Sequence, residues 1–134
     1  MALRKGFRQM VDEAKSRIKT HSLDEARAKH GRPDVLFVDL RDVRELEREG
    51  QIPGAFHCPR GMLEFWIDPD SPYYKDVFAP GKEFVFFCNA SWRSALAADT
   101  AQQMGLEPVS EMDGGFTAWK KAGLPVEERP RKKV

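Results

Sequence analysis

Cysteine is scarce in this chain: Cys58 and Cys88 are its only two, among 134 residues. Two thiols so far apart make no disulfide framework, and a reducing, cytoplasmic setting is expected. No apolar run approaches the roughly 20 residues of a membrane span, so no membrane partner is expected. The opening Met1-Ala2-Leu3-Arg4-Lys5-Gly6 is not followed by an apolar segment, and no secretory signal is expected. Neither sign of charge dominates. The 22 basic and 21 acidic residues leave a net charge of +1, which argues against nucleic acid as the main partner. His21, His30 and His57 have no metal-ligand spacing with the cysteines, so no metal is expected, and no cofactor. There is no internal repeat. What the chain does have is 41% hydrophobic residues, enough for one core without disulfides or a metal. Its length suits a single domain with a short extension.

The extension is residues 1–16, where Phe7, Met10, Val11 and Ala14, with Ile18 beyond, stand at helical spacing. An amphipathic helix laid against the domain is expected, with a dimer contact as the rarer use of that face. The domain is read as 17–127 and a charged, frayed tail as 128–134, its charge run starting at Glu127. A short first strand is expected over 17–20. Ser22 and Glu25 make a capping box for a helix that stops at Gly31. Val35-Leu36-Phe37-Val38 is a second, buried strand. Asp42 caps a helix over 43–49, and 55–58 is a short third strand. Residues 60–80 are irregular with helical turns. Glu83 to Phe87 is the fourth strand, with a helix after it to about Met104. Val109 to Met112 is the fifth, and a last helix covers 116–122. Strand and helix alternate with short connections, which predicts an α/β fold: a five-stranded, mainly parallel sheet with helices on both faces.

The stretch from Glu83 to Ala98 organises the rest. A run too short and too rich in Phe and Val for a helix reads as a strand buried on both faces. An alanine-rich segment of high helix propensity ends it. Between them stand Cys88, then Asn89, Ala90, Ser91 and Trp92, then Arg93. A thiol therefore sits where a buried strand gives way to a helix. In open parallel sheets that end of the strands is where ligands bind. Unpaired N–H groups of the turn, the helix dipole and Arg93 all favour an anion there, the thiolate itself or a bound oxyanion.

Four features in order then resemble a rhodanese-like domain. These are Val38-Asp39-Leu40-Arg41 at the end of the second strand, Gly50-Gln51-Ile52-Pro53-Gly54-Ala55, the thiol loop itself, and Gly114-Gly115-Phe116-Thr117-Ala118-Trp119 with Gly123-Leu124-Pro125-Val126. The likeness covers about 17–127. Two departures stand out. Gln51 replaces the family's usual histidine, at a position expected to be structural. The loop lacks the glycine of many relatives and carries the bulky Trp92, although Asn89 tolerates left-handed geometry better than most residues.

The resemblance implies a single-domain sulfurtransferase. Cys88 would attack the outer sulfur of a small anionic donor such as thiosulfate and carry it as a persulfide. A thiol, a protein or, in an assay, cyanide would then accept it. Cys88 and Arg93 are the expected catalytic pair. Asn89, Ala90, Ser91, Trp92 and Ser94 form the expected anion-binding loop, and Asp39 and Arg41 support it.

Blander roles stand beside these. Arg93 competes with a solvated helix-start arginine. Asp39 is expected to bond backbone near the loop, and Arg41 to pair with Glu45 four residues on. Cys58 shares the rim, but the resemblance places the second strand between the third and fourth. Two strand spacings of about 9–10 Å then separate the two thiols, beyond the roughly 7 Å that a disulfide spans. His57 is expected to bond locally. Phe65, Trp66, Tyr73 and Tyr74 are expected mostly in the core, or walling the pocket mouth. A monomer or weak homodimer is expected. Two other functions compete. A phosphatase or arsenate reductase of the cysteine-loop kind would want a loop one residue longer. A non-enzymatic binding module would need the loop amides blocked, for example by Trp92 folded into the cradle.

Overall fold

The computed structural model describes residues 1–130. The end of the expected tail, 131–134, lies outside the described residues.

Five strands form one sheet in the order β1-β5-β4-β2-β3, and every neighbouring pair is parallel. They are β1 (Lys19–His21), β2 (Val35–Asp39), β3 (Phe56–His57), β4 (Glu83–Phe87) and β5 (Val109–Met112). The helices are α1 (Phe7–Arg17), α2 (Leu23–Lys29), α3 (Val43–Glu49), α4 (Leu63–Ile67), α5 (Trp92–Met104) and α6 (Gly115–Lys121). This is the expected α/β architecture, with edges shifted by a residue or two.

Alternation along the central strands builds two cores, because successive side chains leave a strand on opposite faces. Phe84 and Phe86 face one layer with Val38, Leu63, Ile67, Ala97 and Ala101. Val85 and Phe87 face the other with Phe37, Ala26, Phe116 and Trp119. Near-continuous apolar runs in β2 and β4 thus reflect burial on both sides. The small residues of α5 let it lie close: Ala95, Ala97, Ala98 and Ala101 are all buried.

Local signals act as read. The Ser22 hydroxyl accepts from Glu25 N while the Glu25 carboxylate accepts from Ser22 N. Asp42 and Glu45 form the same reciprocal cap on α3.

Three expectations need correction. The apolar stripe of α1 is only half used: Val11 and Ala14 bury against Ala95, while Phe7 and Met10 stay exposed. The helix packs mainly along α5. The charge run from Glu127 is not frayed at its start. Gln51 and Glu127 exchange both backbone hydrogen bonds at 2.9 Å. Gln51 Nε2 also donates to Glu127 Oε2, and Arg129 Nη1 donates to Gln51 Oε1. Gln51 is therefore the structural position it was expected to be. Of the aromatics in 60–80, Phe65 and Tyr73 are exposed, whereas Trp66 packs edge-on against Phe56.

Candidate active site

Cys88 follows β4 directly, so its position is set by a strand anchored on both sides. Its side chain is 1% exposed, yet its surroundings are polar. The Ser91 N–H donates to Cys88 Sγ at 3.3 Å. Cys88 Sγ donates to Ser94 Oγ at 3.5 Å, and Ser94 Oγ donates to Glu111 Oε1 at 3.0 Å. The expected ring of loop amides thus reaches the sulfur through one hydrogen bond, from Ser91.

Backbone conformation explains which amide does so. Ser91 has φ +113° and is the only non-glycine with positive φ among the described residues. It takes the strained turn that glycine would relax, whereas the sequence had pointed to Asn89. Ser91 is held there by its own hydroxyl. Ser91 Oγ donates to the Met112 carbonyl at 3.2 Å and accepts from Gly114 N at 3.0 Å. The start of α6 closes the loop from below: Phe116 N and Thr117 N donate to the carbonyls of Cys88 and Asn89 at 2.7 and 3.2 Å. A side chain at Gly115 would collide with the Cys88 carbonyl oxygen. The Gly114-Gly115 pair is therefore what lets α6 brace the thiol loop.

Arg93 turns to α3. Its guanidinium makes two bonds to Glu45, at 2.7 and 2.9 Å. Asn89 Nδ2 donates to the same carboxylate at 2.8 Å, and so does the Asp42 N–H at 2.7 Å. Glu45 is the hub that ties both ends of the loop to α3, and sequence reading missed that role. Its part in the capping box was legible, but its partners lie 44 and 48 residues away. The Arg93 guanidinium holds the Glu45 carboxyl below its ordinary value, against partial burial. Glu45 in turn raises Arg93, and Cys88 acts more weakly in the same direction.

The expected Arg41–Glu45 pair does not form. Arg41 precedes the cap of α3, so the four-residue spacing of a helix face does not apply to it. It points inward instead. Arg41 Nε and Nη2 meet the Asp39 carboxylate at 3.0 and 2.8 Å, with both residues buried. Asp39 also accepts from the Arg41 N–H, the backbone bond expected of it. Arg41 lies 4.0 Å from the Phe116 ring centroid and reaches Asn89 Oδ1 at 3.5 Å. This pair underlies the loop without touching the sulfur.

Trp92 is 49% exposed. It packs on Phe7 of α1 at 4.8 Å between centroids, with Arg8 beside it. It does not fill the cradle. Ala90 is exposed at the tip of the loop. Cys58 is fully buried, and desolvation pushes its thiol up to about 12. His57 Nε2 bonds the Arg41 carbonyl at 2.7 Å, the local role expected of it. Among the described residues no helix is long and apolar enough to cross a membrane.

Comparison with known proteins decides the family. The rhodanese-like domain profile matches residues 22–122. The chain belongs to the rhodanese-like domain family. A sulfurtransferase of Allochromatium vinosum is 32% identical over 69% of this chain and 78% of its own. The polysulfide-sulfur transferase homodimer of Wolinella succinogenes is 29% identical, with a TM-score of 0.69 over 92% of this chain and 88% of that one. A Rhodopseudomonas palustris protein of unknown function, described as a possible tyrosine phosphatase, is 55% identical. Its TM-score is 0.92, over 95% of this chain and 98% of its own. Two further relatives are longer, and the chain spans only 58% and 46% of them.

Proposed function

We propose that this rhodanese-like domain is a sulfurtransferase that carries sulfane sulfur on Cys88. The single observation behind this is a buried thiol at the carboxyl end of the sheet that meets the Ser91 N–H and the Ser94 hydroxyl instead of hydrocarbon alone. The Cys88 thiolate attacks the outer sulfur of a small anionic donor such as thiosulfate. The Sγ–S bond forms, the donor's S–S bond breaks, and sulfite leaves with the electron pair. The Ser91 N–H and the α5 N-terminus face the persulfide and offset its charge. A thiol or a protein then takes the sulfur. Arg93 holds the loop to α3 through Glu45 and adds positive potential beside Cys88.

Mass spectrometry before and after thiosulfate, then after cyanide, tests this reading. The expected result is a gain of one sulfur on Cys88 that cyanide removes. A folded protein that stays unmodified refutes the thiosulfate reading.

The 55% identical relative described as a possible tyrosine phosphatase gives a second reading. Two features weigh against it here. The loop holds only four residues between Cys88 and Arg93, narrow for a tetrahedral phosphate, and Glu45 already occupies the Arg93 guanidinium. Hydrolysis of an aryl phosphate that disappears in Cys88→Ser would establish it.

A further inference from the structure

The polar side chains around Cys88 are committed to one another. The Arg93 guanidinium makes both its bonds to Glu45, at 2.7 and 2.9 Å. Asn89 Nδ2 donates to the same carboxylate, and Asn89 Oδ1 accepts from Arg41. The Ser91 hydroxyl is taken by the Met112 carbonyl and the Gly114 N–H. The Ser94 hydroxyl donates its proton to Glu111. Ala90 and Trp92, the remaining loop residues, carry no charge. Arg41, the guanidinium beneath the loop, is matched by Asp39. Arg8 stands exposed over the Trp92 ring, where water and salt screen its charge. Both guanidiniums packed against the loop are thus halves of ion pairs. Arg93 still acts on the nearby sulfur. Farther out the charges of Arg93 and Glu45 oppose each other, and their field fades faster than that of a lone cation.

We propose that Glu45 sets the charge of the sulfur donor, so that the site takes a singly charged organic thiosulfonate in preference to the dianion thiosulfate. The proposal rests on sulfur loading at Cys88. One negative charge at the reacting sulfurs is met by the Ser91 N–H and Arg93. The second charge of thiosulfate, on its outer oxygens, finds a cancelled ion pair and side-chain donors already bonded elsewhere. The chemical step is the same for both donors. The Cys88 Sγ–S bond forms, the donor's S–S bond breaks, and a sulfinate leaves with the electron pair where thiosulfate would release sulfite. Glu45 acts through Arg93 and is a positioning residue.

Methanethiosulfonate and thiosulfate are the matched probes, because a methyl group in the first replaces one charged oxygen of the second. Loading of Cys88 is followed by intact mass, and second-order rate constants are compared. The wild type is expected to load methanethiosulfonate at least about tenfold faster; a wild type that loads thiosulfate as fast overturns the proposal. Glu45→Gln removes the charge and keeps the shape. It is expected to raise the thiosulfate rate relative to the methanethiosulfonate rate by at least about threefold. A loop merely loosened by the change moves both rates together, so a smaller rise in the ratio overturns the proposal. If Glu45→Gln fails to fold, the salt dependence of wild-type loading decides. Thiosulfate loading is expected to hold or rise between about 0.05 and 0.5 M salt. A fall would mean that an unpaired cation serves the dianion, and it overturns the proposal. Loading by methanethiosulfonate alone refutes the thiosulfate donor and upholds this specificity. Loading by both donors with the ratio unmoved in Glu45→Gln overturns the specificity and leaves sulfur transfer standing. Loading by neither refutes both.

Discussion

The two thiols follow β3 and β4, on either side of β2 at one rim of the sheet, and both are buried, at 1% for Cys88 and 0% for Cys58. Exposure therefore does not distinguish them. Their neighbours do. Cys58 sits in the apolar layer with Leu63 and Phe78, and among the described residues its thiol has one polar contact, a 3.9 Å approach to the Pro59 carbonyl. Cys88 meets an amide, a hydroxyl and the neighbourhood of a guanidinium. Desolvation with no donor beside it keeps the Cys58 thiol protonated, whereas the Cys88 sulfur has the Ser91 N–H and the Ser94 hydroxyl in place of water. A buried thiol is reactive or inert according to what replaces water around it.

Five substitutions sharpen or break that contrast. The largest effect is expected from Cys88→Ala, which abolishes sulfur loading by thiosulfate, while Cys58→Ala retains it, as read by intact mass. In the wild type at pH 8, iodoacetamide labels Cys88 and spares Cys58, whose thiol stays protonated until about pH 12. Labelling of both at equal rates would erase the distinction between their surroundings.

Next is Arg41→Ala. It strands the Asp39 carboxylate in the core beneath the thiol loop, and a loss on the order of 3–5 kcal/mol is expected in urea unfolding. Ser91→Ala keeps the strained backbone but removes two hydroxyl bonds, leaving the Met112 carbonyl and the Gly114 N–H without their partner. About 2 kcal/mol of destabilisation is expected, by the same measurement.

The smallest effect concerns pH. The folded Glu45 carboxyl is held below its ordinary value by Arg93. Its contribution is present above the ordinary carboxylate range and disappears as pH falls through the lowered folded value. Glu45→Gln should therefore flatten the acid limb of the stability curve, by under about 1 kcal/mol because Arg93 is partly solvated. An unchanged acid limb would show that the Arg93 tie carries no free energy.

Much of the fold is legible in the residues because its causes are local. The Ser22 and Asp42 caps, the apolar runs of β2 and β4 and the alanines of α5 each specify their own few residues. The thiol loop could be found for the same reason, since a strand, a cysteine, an arginine and a helix follow one another in sequence. What could not be read was the wiring. Arg93 was expected to face an anion and faces Glu45, because α3 lies across the loop. Asn89 was the residue expected to bear left-handed geometry, and Ser91 bears it, because only its hydroxyl meets both Met112 and Gly114. Glu111 left a signal that could have been heeded, a lone acid inside a buried strand.

From its residues alone this chain fixes the order of its strands and helices and the point where a cysteine must emerge between them. Short-range forces (helix capping, side-chain alternation, helix propensity) act within a few positions and need no partner. Only the packed molecule decides the state of that cysteine. Hydrogen bonds and charges act over a few ångströms of space, and Ser94, Glu111, Glu45 and Arg93 come within that range only once β5 and α3 close around the end of β4.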